Sequence, residues 1–214
     1  MNTTRLFAVP LLAAVLLAGA SCKSPTQDKP KAEVGAASTA APAAAGAEKL
    51  TLLPENSKID FVAAKVTRSH DGNFKRFTGT AELVDGKAEG GKVTLDIELD
   101  SVETDTEKLT GHLKSPDFFD VAKYPKARFE STKIEKGGQG GATHTMTGNL
   151  DLHGVKKSIT FPATIAVRDD AVTVKSEFSI NRKDWGIVYP GMPDDLIRDD
   201  VLMKLDINVP RKRI

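Results

Sequence analysis

Residue types that do chemistry are sparse in this chain and widely spaced. The single cysteine, Cys22, lies directly behind an apolar run, so it can neither close a disulfide within the chain nor join a cysteine cluster around a metal. The four histidines are His70, His112, His144 and His153, and none stands in an H-E-x-x-H or other close ligand spacing. Three border glycine-rich sequence and read as solvated turn residues: His70 in His70-Asp-Gly72, His144 after Gly137–Gly141, and His153 before Gly154. His112 sits on a short helical pattern, where it either faces solvent or hydrogen-bonds a ligand headgroup. Asp117 and Asp120 flank Phe118 and Phe119. Two carboxylates can share acid–base work, but Ser115 and Asp117 at this spacing also cap backbone amides in a turn, the favoured reading. The densest polar cluster is Asn181, Arg182, Asp184 and Trp185. These residues either hold a ligand headgroup, or Arg182 pairs with Asp184 across a bend while Trp185 plugs a core. No catalytic set and no metal site is assigned. No glycine-rich loop follows a strand and opens a helix, so nucleotide binding is unsupported.

The elements that must position these residues are strands. In Val93–Leu99 the apolar residues Val93, Leu95, Ile97 and Leu99 alternate with Thr94, Asp96 and Glu98, which puts one face in a core and the other in water. The rows Met146–Leu152, Ile159–Ile165, Val172–Ile180 and Val201–Val209 repeat the pattern. Leu50–Leu53, Ile59–Val66, Thr78–Val84 and Ala127–Ile134 are further candidates, and turn signals such as Asp85-Gly86, His153-Gly154 and Asp169-Asp170 separate the rows. Eight or nine strands joined by short hairpins form an antiparallel meander, all-β in class. Periodicity alone leaves open a two-sheet sandwich or a closed barrel, and a filled or a hollow interior. One stretch departs from the rule. Thr104–Phe119 predicts a short helix capped by Thr104 or Thr106 and ended at Ser115-Pro116, followed by the Phe118-Phe119 pair. Such a segment would serve as a lid or plug over one barrel end.

The charge balance excludes a polycation for nucleic acid: 30 basic residues stand against 29 acidic ones. The apolar residues are unevenly spread. Leu6–Ala20 is uncharged, follows Arg5, and is shorter than the ~20 apolar residues that span a bilayer, so residues 1–21 read as an export signal. Gly19-Ala-Ser21 before Cys22 resembles a bacterial lipobox, with Gly19 in place of the usual Leu, and Cys22 is the expected lipidation site. Residues 23–48 hold no aromatic, Leu, Ile or Met, which predicts a flexible Ala/Pro-rich linker with little to bury. The folded domain is then 49–214. The expected protein is an exported lipoprotein, anchored to a membrane through Cys22 and facing the periplasm. The terminal Arg211-Lys-Arg213 reads as a solvated tail.

An ordered series of motifs runs through the domain: Gly72-Asn-Phe-Lys-Arg-Phe-Thr-Gly79, His112-Leu-Lys-Ser-Pro-Asp-Phe-Phe-Asp120, Tyr124-Pro125, Gly148-Asn-Leu-Asp-Leu-His-Gly-Val-Lys156 and Ile180-Asn-Arg-Lys-Asp-Trp-Gly186. Together they resemble the YceI family of secreted bacterial lipocalin-like proteins over residues 49–210. The resemblance implies an antiparallel eight-stranded lipocalin-like β-barrel with a short helical lid insertion. It further implies an apolar cavity for a long isoprenoid lipid, of quinone or polyprenyl type. On it, the cavity candidates are Phe61, Phe74, Phe77, Leu95, Ile97, Leu113, Phe118, Phe119, Phe129, Leu150, Phe161, Phe178 and Trp185, with His112, Asn181, Arg182 and Asp184 as candidates at a headgroup. No cofactor beyond such a bound lipid or quinone is called for. The alternatives are an enzyme on an isoprenoid or quinone using His112 with Asp117 or Asp184, and a stress-related, partner-binding barrel without ligand. A homodimer is compatible with the sequence, though no unpaired strand can be named from it.

Overall fold

The structure is a computed structural model that describes residues 24–39 and 46–211. The expected export signal, Cys22, residues 40–45 of the expected linker and residues 212–214 lie outside the described residues. The alternating rows all form strands. The first half contains β1 (Glu33–Ala36), β2 (Glu48–Leu52), β3 (Lys58–Ala64), β4 (Ser69–Phe74), β5 (Phe77–Val84), β6 (Lys87–Glu98) and β7 (Val102–Thr104). The helix α1 (Glu107–Lys114) follows. Then come β8 (Lys126–Lys136), β9 (His144–Leu152), β10 (Val155–Val167), β11 (Ala171–Asn181), β12 (Gly191–Met192), β13 (Asp195–Leu196) and β14 (Asp200–Pro210).

All of these except β12 and β13 belong to one curled antiparallel sheet, in the order β2-β5-β6-β8-β9-β10-β11-β14-β3-β4-β7, with β1 added beside β10. The register sets the inner face: Leu95 lies opposite Phe129, Phe129 opposite Leu150, and Phe178 opposite Met203. Because strand side chains alternate, aligning these residues aligns every apolar row toward one interior. The nine expected rows form β2, β3, β5, β6, β8, β9, β10, β11 and β14. The strands β4 and β7 continue the sheet beyond β3, and the small β12–β13 hairpin stands apart from the sheet.

The ring is closed by side chains rather than by a continuous ladder. At one seam β2 approaches β14. The Ser57 hydroxyl accepts from the Asn208 amide at 3.1 Å, and Arg211 holds the Glu48 carboxylate through Nε and Nη2 at 2.7 and 2.6 Å. Arg211 is therefore a clasp, not the solvated tail residue its position suggests.

At a second seam β10 changes partner. Val155–Ala163 pairs with β9, but only Thr164–Val167 pairs with β11. Residues 30–36 fill the opening. Glu33–Ala36 pairs with Thr160–Lys157 of β10, while the Ala32 amide donates to Ser179 O of β11 and the Ser179 amide donates to Pro30 O, both at 2.9 Å. Further on, Asn149 of β9 bonds both backbone groups of Ser38. This corrects the linker reading of residues 23–48 for its described part. The main chain supplies the bonds here, and only Ala32 of this segment is buried, so no apolar pattern is needed.

Two histidines also depart from expectation. His70 is no turn residue: it is a buried residue of β4 whose Nδ1 lies 2.8 Å from Asp105 Oδ1. His144 begins β9, is buried, and shares a 2.8 Å hydrogen bond with the Thr143 hydroxyl. His153 does occupy a turn, with Gly154, at positive φ.

The hydrogen bonds from Arg211 hold the Glu48 carboxyl below its ordinary range, against a smaller opposing effect of burial. A carboxyl lowered in the folded state stabilises fully above its unfolded pKa, about 4.3, and loses that contribution as pH falls through its lower folded value. An Arg211→Met chain should therefore be less stable than the wild type at pH 7, and the difference should vanish in strong acid. Urea midpoints measured across pH test this; a constant difference would assign the effect of Arg211 to packing.

Candidate ligand cavity

The inward rows do not fill the barrel. A cavity of about 130 Å³ runs between β2, β3, β5, β6, β8, β9, β10, β11 and β14, with a wall that is almost wholly hydrocarbon. An engineered apolar cavity of ~150 Å³ stays dry and accepts benzene, so this is space for a hydrocarbon segment rather than for water. Three rings crowd its middle. Phe161 stacks on Phe178 with centroids 4.1 Å apart and planes at 13°, and Phe129 tilts against Phe161 at 5.8 Å. The polar residue in the wall, Glu82, pairs in register with Lys49 and Lys92, and its carboxylate lies 3.7 Å from the Lys49 ammonium. The Glu82 side chain is buried, and its Oε2 has no hydrogen-bond partner.

Glycine makes room for one of those rings. Gly148 faces inward on β9, and a Cβ there would fall 2.4 Å from Phe129 Cζ. The glycine that opens the Gly148–Lys156 motif is thus a seat for an aromatic wall residue. Gly72 plays the same part under Phe61, where a Cβ would meet the ring at 2.2 Å.

Of the residues expected at a cavity, Leu95, Ile97, Phe129, Leu150, Phe161 and Phe178 line it. Phe61, Phe74, Phe77, Leu113, Phe118, Phe119 and Trp185 do not; they belong to the same continuous core but fill the end of the barrel beyond the cavity. There Phe61, Phe74 and Phe119 form a chain of tilted rings at 5.7 and 5.9 Å. Helix α1 packs beside β7 with Leu113 buried, its N-cap being Thr106, which makes no side-chain capping bond. The lining residues that sequence reasoning did not single out are chiefly aliphatic, Leu52, Ile59, Ile207 and Val209 among them, and two, Ala81 and Ala88, are small. Most of them stand in the alternating apolar rows, and a small inward residue leaves space.

The headgroup candidates are occupied with the fold. Trp185 is fully buried and donates its indole N–H to Leu150 O at 3.2 Å, so it plugs the barrel end. Arg182 is buried. Its Nη1 donates to Ile187 O at 2.7 Å, its Nε to Arg198 O at 3.3 Å, and its Nη2 pairs with Asp199 at 3.3 Å. Burial pushes its pKa down, opposed by Asp199. Its partner is thus Asp199 and not Asp184, which lies 3.9 Å from Lys157. Asn181 caps the 182–185 turn by accepting from the Lys183 amide at 3.0 Å. His112 bonds Asp117 at 2.9 Å and packs edge-on against Phe118 and Tyr189 at 4.9 and 5.0 Å. None of the four headgroup candidates, His112, Asn181, Arg182 and Asp184, lines the cavity. Among the described residues no group of three or more metal-ligating side chains converges.

Comparison with known proteins agrees with this geometry. Residues 50–209 match the model of the YceI-like domain. A UPF0312 protein of Pseudomonas savastanoi pv. phaseolicola is 34% identical over 154 residues, covering 69% of this chain and 79% of the relative. One from Pseudomonas putida is 32% identical over 136 residues, covering 61% and 70%. Among solved structures, Burkholderia cenocepacia BcnA shares the fold with a TM-score of 0.64 at 24% identity, covering 73% of this chain and 98% of BcnA. A polyisoprenoid binding domain from Saccharophagus degradans aligns with a TM-score of 0.60 at 17% identity, covering 77% and 100%. The Campylobacter jejuni YCEI protein aligns with a TM-score of 0.52 at 26% identity, covering 66% and 85%.

The seat under Phe129 is testable by a double-mutant cycle. Gly148→Ala should cost about 1–3 kcal/mol by forcing the ring aside. Phe129→Leu in the same chain should recover part of that cost, so the two changes should couple favourably. Urea denaturation of the four proteins reads the coupling; strictly additive losses would mean that Gly148 serves its strand backbone alone.

Proposed function

This chain belongs to the YceI-like family, and from that premise we propose that its barrel binds and carries a long-chain isoprenoid lipid, of quinone or polyprenyl type, with the tail in the apolar cavity. The observation that carries this reading is a hydrocarbon-walled space inside a barrel that is otherwise close-packed. A folded domain gains nothing by leaving such space empty, because each methylene that could fill it is worth about 0.8 kcal/mol. A branched, unsaturated hydrocarbon tail is the ligand such a wall favours. A tail longer than a benzene-sized segment requires Phe161 and Phe178 to turn away from one another, so uptake is coupled to movement of the stacked rings. The relative from Saccharophagus degradans, a polyisoprenoid binding domain, has the same fold and supports this choice of ligand class.

The protein acts as a binding protein in this reading. The acid–base pair that an enzyme would use, His112 with Asp117, lies outside the cavity wall, as does Asp184. Export and lipidation at Cys22 would hold the barrel at the periplasmic face of a membrane, where its ligand resides. Two lipid signals anchor stably whereas one chain binds reversibly, so a multiply acylated Cys22 suffices.

Native mass spectrometry of the protein purified without detergent, followed by organic extraction, tests the proposal. The expected result is a near-stoichiometric isoprenoid. Filling the cavity with Ala81→Phe should reduce that occupancy by roughly tenfold, for a stability cost of about 1–3 kcal/mol. A ligand-free wild type that also takes up no added quinone or polyprenol would overturn it.

A further inference from the structure

Among the described residues five large apolar side chains are exposed, and four of them stand at one end of the molecule. They are Val66, Val188, Met192 and Leu196, with exposures of 55, 61, 58 and 49%. Three stand on joined elements. The Val66 amide donates to Leu196 O at 3.1 Å, and Leu196 and Met192 both belong to the β12–β13 hairpin, opposite Gly191 and Asp195 respectively. Asp195 of that hairpin binds Lys65 at 3.1 Å and Thr67 at 2.9 Å, and the Arg198 amide donates to Ala64 O at 2.8 Å. The apolar residues therefore project from a braced platform. A platform held by this many bonds would be expected to bury its apolar residues if they had a partner within the chain.

The start of the described chain lies on the same platform. Ser24 shares a surface depression with Val66 and Leu196, and Pro25 shares the neighbouring one with Lys65, Arg68 and Arg198. Ser24 is two positions beyond Cys22, a span of at most about 7 Å. We propose that this end of the barrel is a membrane-docking face, with Val66, Val188, Met192 and Leu196 entering the interfacial layer of a bilayer. The inference rests on the reading of Cys22 as the lipid-bearing residue. A lipid on Cys22 would bring the platform to the surface whether or not it were apolar; four exposed apolar side chains at this end make the contact favourable.

The charges fit a bilayer better than an acidic partner. Lys65 and Asp195 cancel, and Arg182 and Lys183 share Asp199. Arg68 and Arg198 line one depression of the platform, leaving its rim mildly cationic. Long arginine stems can lie along the apolar layer with their heads at phosphate level. Docked in this way, the Trp185-plugged end faces the membrane, while the cavity extends toward the opposite hairpins around Ala88 and Val172.

The full chain, made with its own signal in a bacterium and reconstituted into vesicles of phosphatidylcholine and phosphatidylglycerol, tests this by hydrogen–deuterium exchange. Amides of residues 65–68 and 188–197 should exchange roughly tenfold more slowly on vesicles than in solution, while the 137–143 hairpin at the far end should not change. Met192→Asp with Leu196→Asp, both at exposed positions, should abolish the protection and leave palmitate labelling of Cys22 intact. Labelled protein without protection would overturn the docking face and leave the anchor standing. If Cys22 takes no palmitate, coupling this only cysteine to a maleimide lipid supplies the anchor, and the same exchange pattern then decides the docking face alone. Protection that appears without vesicles and is lost on dilution would assign the patch to a second copy of the chain and overturn the proposal.

Discussion

A single sheet can enclose a dry space only if it leaves no gap, and the strand β10 makes one. It follows β9 for most of its length and then crosses to β11, so the two strands diverge beside Ile159 and Phe178, both wall residues. Open backbone groups there would admit water to the cavity, and an apolar cavity loses its value once wet. Residues 30–36 close the gap with main-chain bonds to both strands. The segment lies outside the region matching the YceI-like domain, which begins at residue 50. This chain therefore seals its barrel with residues that precede the domain, and the same residues run back to the expected anchor point. Tether and wall are one continuous piece of chain.

The interior is divided along its axis. Toward the hairpins at Gly86 and Asp169, the inward residues are aliphatic or small and leave space. Toward α1, rings accumulate and the space is gone: Phe61, Phe74 and Phe119 form one group, and His112, Phe118 and Tyr189 another. This division explains why the most conspicuous motifs in the sequence do not touch the cavity. The Phe118-Phe119 pair and the Asn181–Trp185 cluster build the floor. Arg182 is the clearest case, since a guanidinium buried at a barrel end must find acceptors. It takes two carbonyls from the 187–198 excursion and one carboxylate, thereby fixing that excursion to the barrel. A buried hydrogen-bonded charge of this kind is costly to strip of its partners, which suits it to holding a loop in one place.

Alternation made the walls legible and hid the floor. A period of two states which face of a strand a residue occupies, and so Leu95, Ile97, Phe129, Leu150, Phe161 and Phe178 were correctly aimed inward. It carries no information about height along the barrel axis, which is why Phe61 and Phe77, equally inward, belong to the filled end. Strands with weak alternation escaped. In β4 the inward positions are His70, Gly72 and Phe74, and only the last is apolar; the strand exists because it pairs with β3 and because Asp105 satisfies His70. In β1 the contribution is backbone pairing, which composition does not encode. The motif glycines were legible as a pattern, yet their purpose becomes visible only when Phe61 and Phe129 are seen lying on Gly72 and Gly148.

A wall that is hydrocarbon apart from Glu82 has a consequence for selectivity. Hydrogen bonds discriminate sharply between ligands, because a site built for them is left with unpaired groups by the wrong one. Hydrocarbon contact discriminates by size, at about 0.8 kcal/mol for each methylene buried. A ligand held in this barrel would therefore be sorted by the length and bulk of its tail, and the residues that set the limit are those that keep space free. Ala81 and Ala88 do so by being small, and Gly148 does so by letting Phe129 lie flat against the sheet. The stacked pair Phe161 and Phe178 sets the opposite limit, since their contact must be given up before a longer tail enters. Specificity in such a barrel resides in volume and in the cost of parting two rings, and the polar residues that look most like a binding site are the ones that make the container rigid.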